Sequence, residues 1–295
     1  MNIDITSKAD FPSAKIIHKL PELFTKIAPE KETQILKDIE NVNFNVTDGD
    51  EWRCEAIVNY ELIVISRKTV EIVWAFCFSF YTIYKELLSN VKPEGQYINM
   101  LDKPELKKAR DLLTWAIDNF TKKNKSNLSS DFSCINDNPK YASDEHVILE
   151  ITLCTLAFFL HHELAHIKFS GNSFSSINQE EERCDFEAAK VILEISNNAK
   201  KEKRCFGVST GLLLINSVGF RTKIFDGKDH PFSYDRLINT LIKFVDKDDK
   251  IWSWTVGILS LHLTNYGIKQ PKEEFDNFYQ CVVKYKALIE GYKDE

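Results

Sequence analysis

Val147-Ile148-Leu149-Glu150-Ile151-Thr152-Leu153-Cys154-Thr155-Leu156-Ala157-Phe158-Phe159-Leu160 runs without a break into His161-His162-Glu163-Leu164-Ala165-His166-Ile167. The apolar run is shorter than the ~20 residues that cross a bilayer, so it predicts a helix buried in a protein core. Ser143 is a suitable N-cap, Asp144 and Glu145 suit the positive end of the helix dipole, and Gly171 offers a stop. His162, Glu163 and His166 spell H-E-x-x-H near the end of that helix. Residues four apart share a helix face, so the two imidazoles can reach one cation, with Glu163 placed as a general base. A pair of ordinary histidines satisfied by hydrogen bonds would give the same letters. His161 lies outside the i, i+4 pair and reads as a core or supporting histidine.

The rest of the chain gives this helix a setting. The 295 residues are 43% hydrophobic, 28% charged and 12% aromatic, the composition of a globular protein with material for a core. A net charge of -6 argues against a nucleic-acid partner, which would want a basic face. The short basic runs, such as Lys200-Lys201 with Lys203-Arg204, read as solvated charge. Seven scattered cysteines with no C-x-x-C pair suit a reducing compartment, and Met1 to Thr6 has no basic or apolar leader. A cytoplasmic location is therefore expected.

Periodicity predicts an α+β fold that is mostly α-helical. Arg53–Asn59 and Glu61–Ser66 are β-rich on either side of Asn59-Tyr60, the pattern of a hairpin or small sheet. Ser66 can cap a helix running to about Leu88, which contains the apolar run Ile72–Tyr84 and is read as core rather than membrane. Pro104 opens another helix through Phe120, and Leu128–Tyr141 reads as loop. No linker stands out, so one domain over 1–295 is expected: an N-terminal arm at 1–50, hairpin and helices at 51–142, the site helices at 143–198, and a helical part at 199–295.

The third ligand separates the metal sites that H-E-x-x-H can serve. In the pattern H-E-x-x-H-x-x-G-x-x-H, Phe169 stands where glycine belongs and Asn172 where the third histidine belongs, which excludes the metzincins. The segment Gln179–Ala189 is the next place to look. On a helix Glu181 shares its face with Cys184, Asp185, Ala188, Ile192 and Ile195, so Glu181 and Asp185 point inward, whereas Glu180 falls with Glu187 and reads as solvated. Glu181 then fits a metal ligand, and Asp185 fits an acceptor for the free ring N–H of His162 or His166. A plain ion pair with a Lys or Arg from elsewhere is the competing account. Further on, Asp229-His230-Pro231-Phe232-Ser233-Tyr234-Asp235-Arg236 could simply open a helix.

Taken together, H-E-x-x-H, E-x-x-x-D and H-P-x-x-x-x-R resemble the glutamate-ligated zincins. The resemblance implies zinc held by His162, His166 and Glu181, with Glu163 as base. It also implies His230 and Arg236 as supports for substrate or oxyanion, Arg236 standing with Asp185 behind the ligands. The length, the wording of the motif and the aromatic helix Trp74–Tyr81 are similar to the bacterial phage-exclusion Lit peptidases. That likeness implies a helical zincin-like domain and a cytosolic endopeptidase that cuts translation elongation factor Tu when a phage peptide is present. A soluble peptidase that cleaves a transcriptional repressor, or an interaction protein with structural histidines, are the alternatives.

Overall fold

The computed structural model describes residues 1–5, 13–89, 103–121, 126–128, 136–194, 198–222, 233–265, 267–271 and 274–293. The chain runs β1 (Asn2–Ile5), α1 (Ala14–Ile17), α2 (Leu20–Lys26), α3 (Glu32–Asp38), β2 (Asn43–Thr47), β3 (Cys54–Ile57), β4 (Leu62–Ser66) and α4 (Arg67–Ser89). It continues through α5 (Pro104–Phe120), α6 (Asp144–Lys168), α7 (Ile177–Leu193), α8 (Asn198–Thr222), α9 (Ser233–Leu241), α10 (Ile251–Asn265) and α11 (Phe278–Lys293). The fold is α+β and mostly helical, as the periodicity predicts.

The strands form one sheet in the order β1-β2-β4-β3. β1 pairs parallel to β2, β2 parallel to β4, and β3 antiparallel to β4, with Ala56 opposite Ile63. The hairpin read from Arg53–Ser66 is therefore present, turning through Val58–Tyr60 with Glu61 in the left-handed region at φ 46°. The first fifty residues are more than an arm, because they supply two strands and three helices. β4 runs inside the sheet and its Ile63, Val64 and Ile65 are buried, while β3 is an edge strand. The Ser66 N–H donates to Arg53 O at 2.8 Å, which sets the paired positions of β3 at Arg53, Glu55 and Ile57. The main-chain groups of Cys54 and Ala56 consequently point off the open edge.

Caps fix the helices where the sequence places them. Ser66 Oγ accepts the Thr69 N–H at 3.1 Å at the start of α4, and Ser143 Oγ accepts the His146 N–H at 3.2 Å at the start of α6. α5 opens on Pro104, which needs no N–H there. Gly171, at φ +88°, turns the chain after α6. At the start of α4, buried Arg67 pairs with Asp50 and with Glu71 at 2.8 Å, and Lys68 donates to Ser126 O at 3.0 Å. These contacts tie two surface segments to the helix.

α6 packs against α7, α8, α4, α2 and β3. Leu156, Phe158 and Leu160 are fully buried, each contributing about 1.5–3 kcal/mol relative to exposure. α8 lies so close that a Cβ on Gly207 would fall 2.2 Å from Cys154 Cβ, and Thr155 Oγ1 donates to Gly207 O at 2.9 Å. By length and composition the 25-residue α6 could cross a membrane, since the helix extends well beyond the apolar run; yet 78% of its apolar window is buried inside the fold, the pattern of a core helix. The site therefore sits on a helix that is largely enclosed by its neighbours.

Candidate metal centre and active site

The last turns of α6 carry His162 and His166 on one face, as i, i+4 spacing requires, and α7 crosses that face with Glu181. The two Nε2 atoms lie 3.2 Å apart. Glu181 Oε2 is 3.5 Å from His162 Nε2 and Glu181 Oε1 is 3.5 Å from His166 Nε2. The three side chains offer donor atoms within 4.8 Å of one another, the spacing of a metal cradle. Buried Glu181 and Asp185 confirm the inward stripe of α7 that helical spacing predicts.

Behind the cradle each histidine meets a carboxylate. His162 Nδ1 lies 3.0 Å from Asp185 Oδ1, and His166 Nδ1 lies 2.9 Å from Glu180 Oε1. Arg236, on α9, holds Asp185 by two bonds, Nε to Oδ2 at 2.6 Å and Nη2 to Oδ1 at 2.8 Å, and its Nη2 also lies 3.2 Å from Glu181 Oε2. Both accounts of the Asp185 carboxylate, histidine acceptor and ion-pair partner, thus describe one arrangement. Arg236 is buried, and its guanidinium is directed at the carboxylates of Asp185 and Glu181 behind the histidines. Glu180 is a correction: its backbone position is on the outer stripe, but its side chain reaches back to His166. His230 lies outside the described residues.

The charges follow from these contacts. Burial opposes a charge on His162, yet Asp185 and Glu181 outweigh it and lift the imidazole to about 10. Burial likewise opposes His166, and Cys184 and Glu181 outweigh it to give about 10. Burial also opposes ionised Asp185, but Arg236 and His162 hold its carboxyl below the usual range. The site therefore attracts positive charge. Each Nδ1 lies within 3.0 Å of a carboxylate and the two Nε2 atoms face one another at 3.2 Å, so a divalent cation that displaces the Nε2 protons would meet two imidazole donors in a negatively charged setting. Tetrahedral donors at ~2.0–2.1 Å from a small divalent ion are separated by roughly 3.3 Å; the Nε2 pair stands at 3.2 Å and each Glu181 oxygen lies 3.5 Å from a different Nε2, so the cradle has the size that such an ion needs.

Glu163 stands beside this cradle, half-buried, and its Oε2 accepts the Ala56 N–H of β3 at 2.8 Å. Burial pushes the Glu163 carboxyl up, while His162 and His166 draw it back part of the way. His161 turns the other way, with Nε2 3.1 Å from Phe24 O and its ring edge-on to Phe24. Burial pushes it down to about 4, which keeps it neutral and out of the site. Sequence reasoning missed Ala56 and Glu180. The alternation of the hairpin could have marked an outward amide at Ala56, whereas nothing in the letters signals the bend of Glu180.

A histidine pair and a glutamate on crossed helices, with a carboxylate base fixed by a sheet edge, is a layout suited to hydrolysing peptide bonds. Residues 63–255 match the peptidase U49 family, and the chain belongs to that family. It is 27% identical over 228 residues to the cell death peptidase of Escherichia coli strain K12, a match covering 73% of this chain and 76% of that protein. No solved structure matches the chain. The likeness to Lit peptidases read from the motifs holds, and the matched span includes α6, α7 and α9, which supply the histidines, the carboxylates and Arg236.

Proposed function

We propose that this chain is a zinc-dependent endopeptidase of the cytosol whose substrate is translation elongation factor Tu, cut during phage infection when a phage peptide is present. The observation that carries the zinc reading is the meeting of His162 Nε2, His166 Nε2 and the Glu181 carboxylate, whose donor atoms lie within 4.8 Å of one another. The substrate reading is supported by the family and by the likeness to Lit peptidases. When bound, zinc supplies Lewis acidity, acidifying a water and polarising the scissile carbonyl.

The chain's own residues do the rest. Glu163 takes the proton of the attacking water on its carboxylate and passes it to the departing nitrogen. The Ala56 N–H holds Oε2 of that carboxylate, so its direction is fixed by the main chain as well as by its rotamer. With a metal in the cradle, Asp185 and Glu180 would take the Nδ1 sides of the rings and leave the Nε2 atoms for the ion, and Arg236 fixes Asp185 and one oxygen of Glu181.

The test is elemental analysis of the purified chain followed by incubation with lysate from phage-infected bacteria. About one equivalent of zinc and a single dominant fragment of elongation factor Tu, absent with Glu163→Gln, are expected. No zinc, or a cleaved repressor in place of the factor, overturns the corresponding half of the reading.

A further inference from the structure

The two histidines of the cradle are held in unequal ways. Asp185, behind His162, is fully buried and gripped by two N–H donors, Nε and Nη2, on one edge of the Arg236 guanidinium. Glu180, behind His166, has a third of its side chain exposed, at 33%, and His166 itself is more exposed than His162, at 17% against 8%. One limb is rigid and dry. The other is an α7 side chain at the solvent edge of the site, beside Glu181 in sequence.

We propose that Glu180 is the positioning residue of an exchange-labile limb, fixing the His166 tautomer and making that limb the route by which a divalent cation enters and leaves. The inference rests on the zinc reading above. His166 Nδ1–H donates to Glu180 Oε1, which leaves the Nε2 lone pair directed at the cradle. When Glu180 swings into solvent, the ring loses the contact that holds it, and the bond from His166 is the first to open. His162 cannot respond in this way, because Asp185 is locked by Arg236. A solvent-facing carboxylate also attracts a hydrated cation on its way in.

The experiment uses the full chain loaded with zinc and challenged with a fluorescent chelator, which reads affinity and dissociation rate without any substrate. Glu180→Ala is expected to weaken zinc by about 10–100-fold, mainly through faster loss. Glu180→Gln, whose amide oxygen still accepts from His166, should recover most of that. Glu182→Ala, on the same helix turn but exposed and outside the cradle, should match wild type. The zinc-free thermal midpoints of the three variants should agree within a few degrees, separating the effect from folding. Wild-type zinc kinetics in Glu180→Ala, or an equal loss in Glu182→Ala, overturn the inference alone. A wild-type chain that takes up no zinc overturns the zinc reading and the inference with it.

Discussion

Arg236 and Asp185, 51 residues apart in the chain, meet through two hydrogen bonds of 2.6 and 2.8 Å in the buried space between α9 and α7. Removing one partner of such a pair strands the other charge in the interior, which costs about 3–5 kcal/mol. Arg236→Met is therefore expected to lower the thermal midpoint by roughly 10 °C for a chain of this size. Asp185→Leu combined with Arg236→Met should regain much of that midpoint yet bind zinc more weakly than wild type, since His162 loses its acceptor. Calorimetry of the two variants decides; a midpoint for Arg236→Met within 2 °C of wild type contradicts the account.

Glu163→Gln removes the proton acceptor and leaves the ligand set intact. Hydrolysis of the substrate found in lysate should fall by about 10²–10⁴ while zinc stoichiometry is unchanged. Loss of zinc together with activity would place Glu163 in the cradle instead.

The α6 and α8 helices touch at Gly207 with no room for a methyl group, since its carbon would sit 2.2 Å from Cys154 Cβ. Gly207→Ala should therefore separate the helices and cost about 1–3 kcal/mol or more, through overpacking. Gly291→Ala, where nothing lies within 4 Å of the added carbon, is the control and should not lower the midpoint. Equal midpoints for the two variants would show that the helices yield easily.

Acid should weaken the fold through His161. Its folded value of about 4 lies below the ordinary 6.5, so the unfolded chain binds the extra proton between those limits and stability rises with pH across that window. The contribution is about 1.4 kcal/mol per pH unit for a single site. Urea unfolding at pH 7 and pH 5, with zinc saturating so that His162 and His166 stay neutral, should show a shallower pH slope for His161→Gln. An unchanged slope would mean that His161 is not held neutral.

The parts of this molecule that announce themselves in sequence are those governed by neighbours on one helix. Ser143 and Pro104 mark helix starts, and the spacing of Glu181 and Asp185 gives their inward direction. What stays hidden depends on partners far along the chain. β1 is four residues long and pairs with a strand some forty residues away, so the first fifty residues read as an arm. The grip of Arg236 on Asp185 joins two helices that no periodicity relates. Glu180 occupies an outer stripe by angle, but a long side chain can reach past its own stripe.

The placement of His162 and His166 within the buried spine α6 has a consequence for motion. Amides in the last turns of that helix should exchange with deuterium only on global unfolding, whereas those of 171–176 exchange through local opening. Evolution can then remodel the exposed 171–176 connection without disturbing the chemistry, because the main chain that carries the histidines is as persistent as the fold itself.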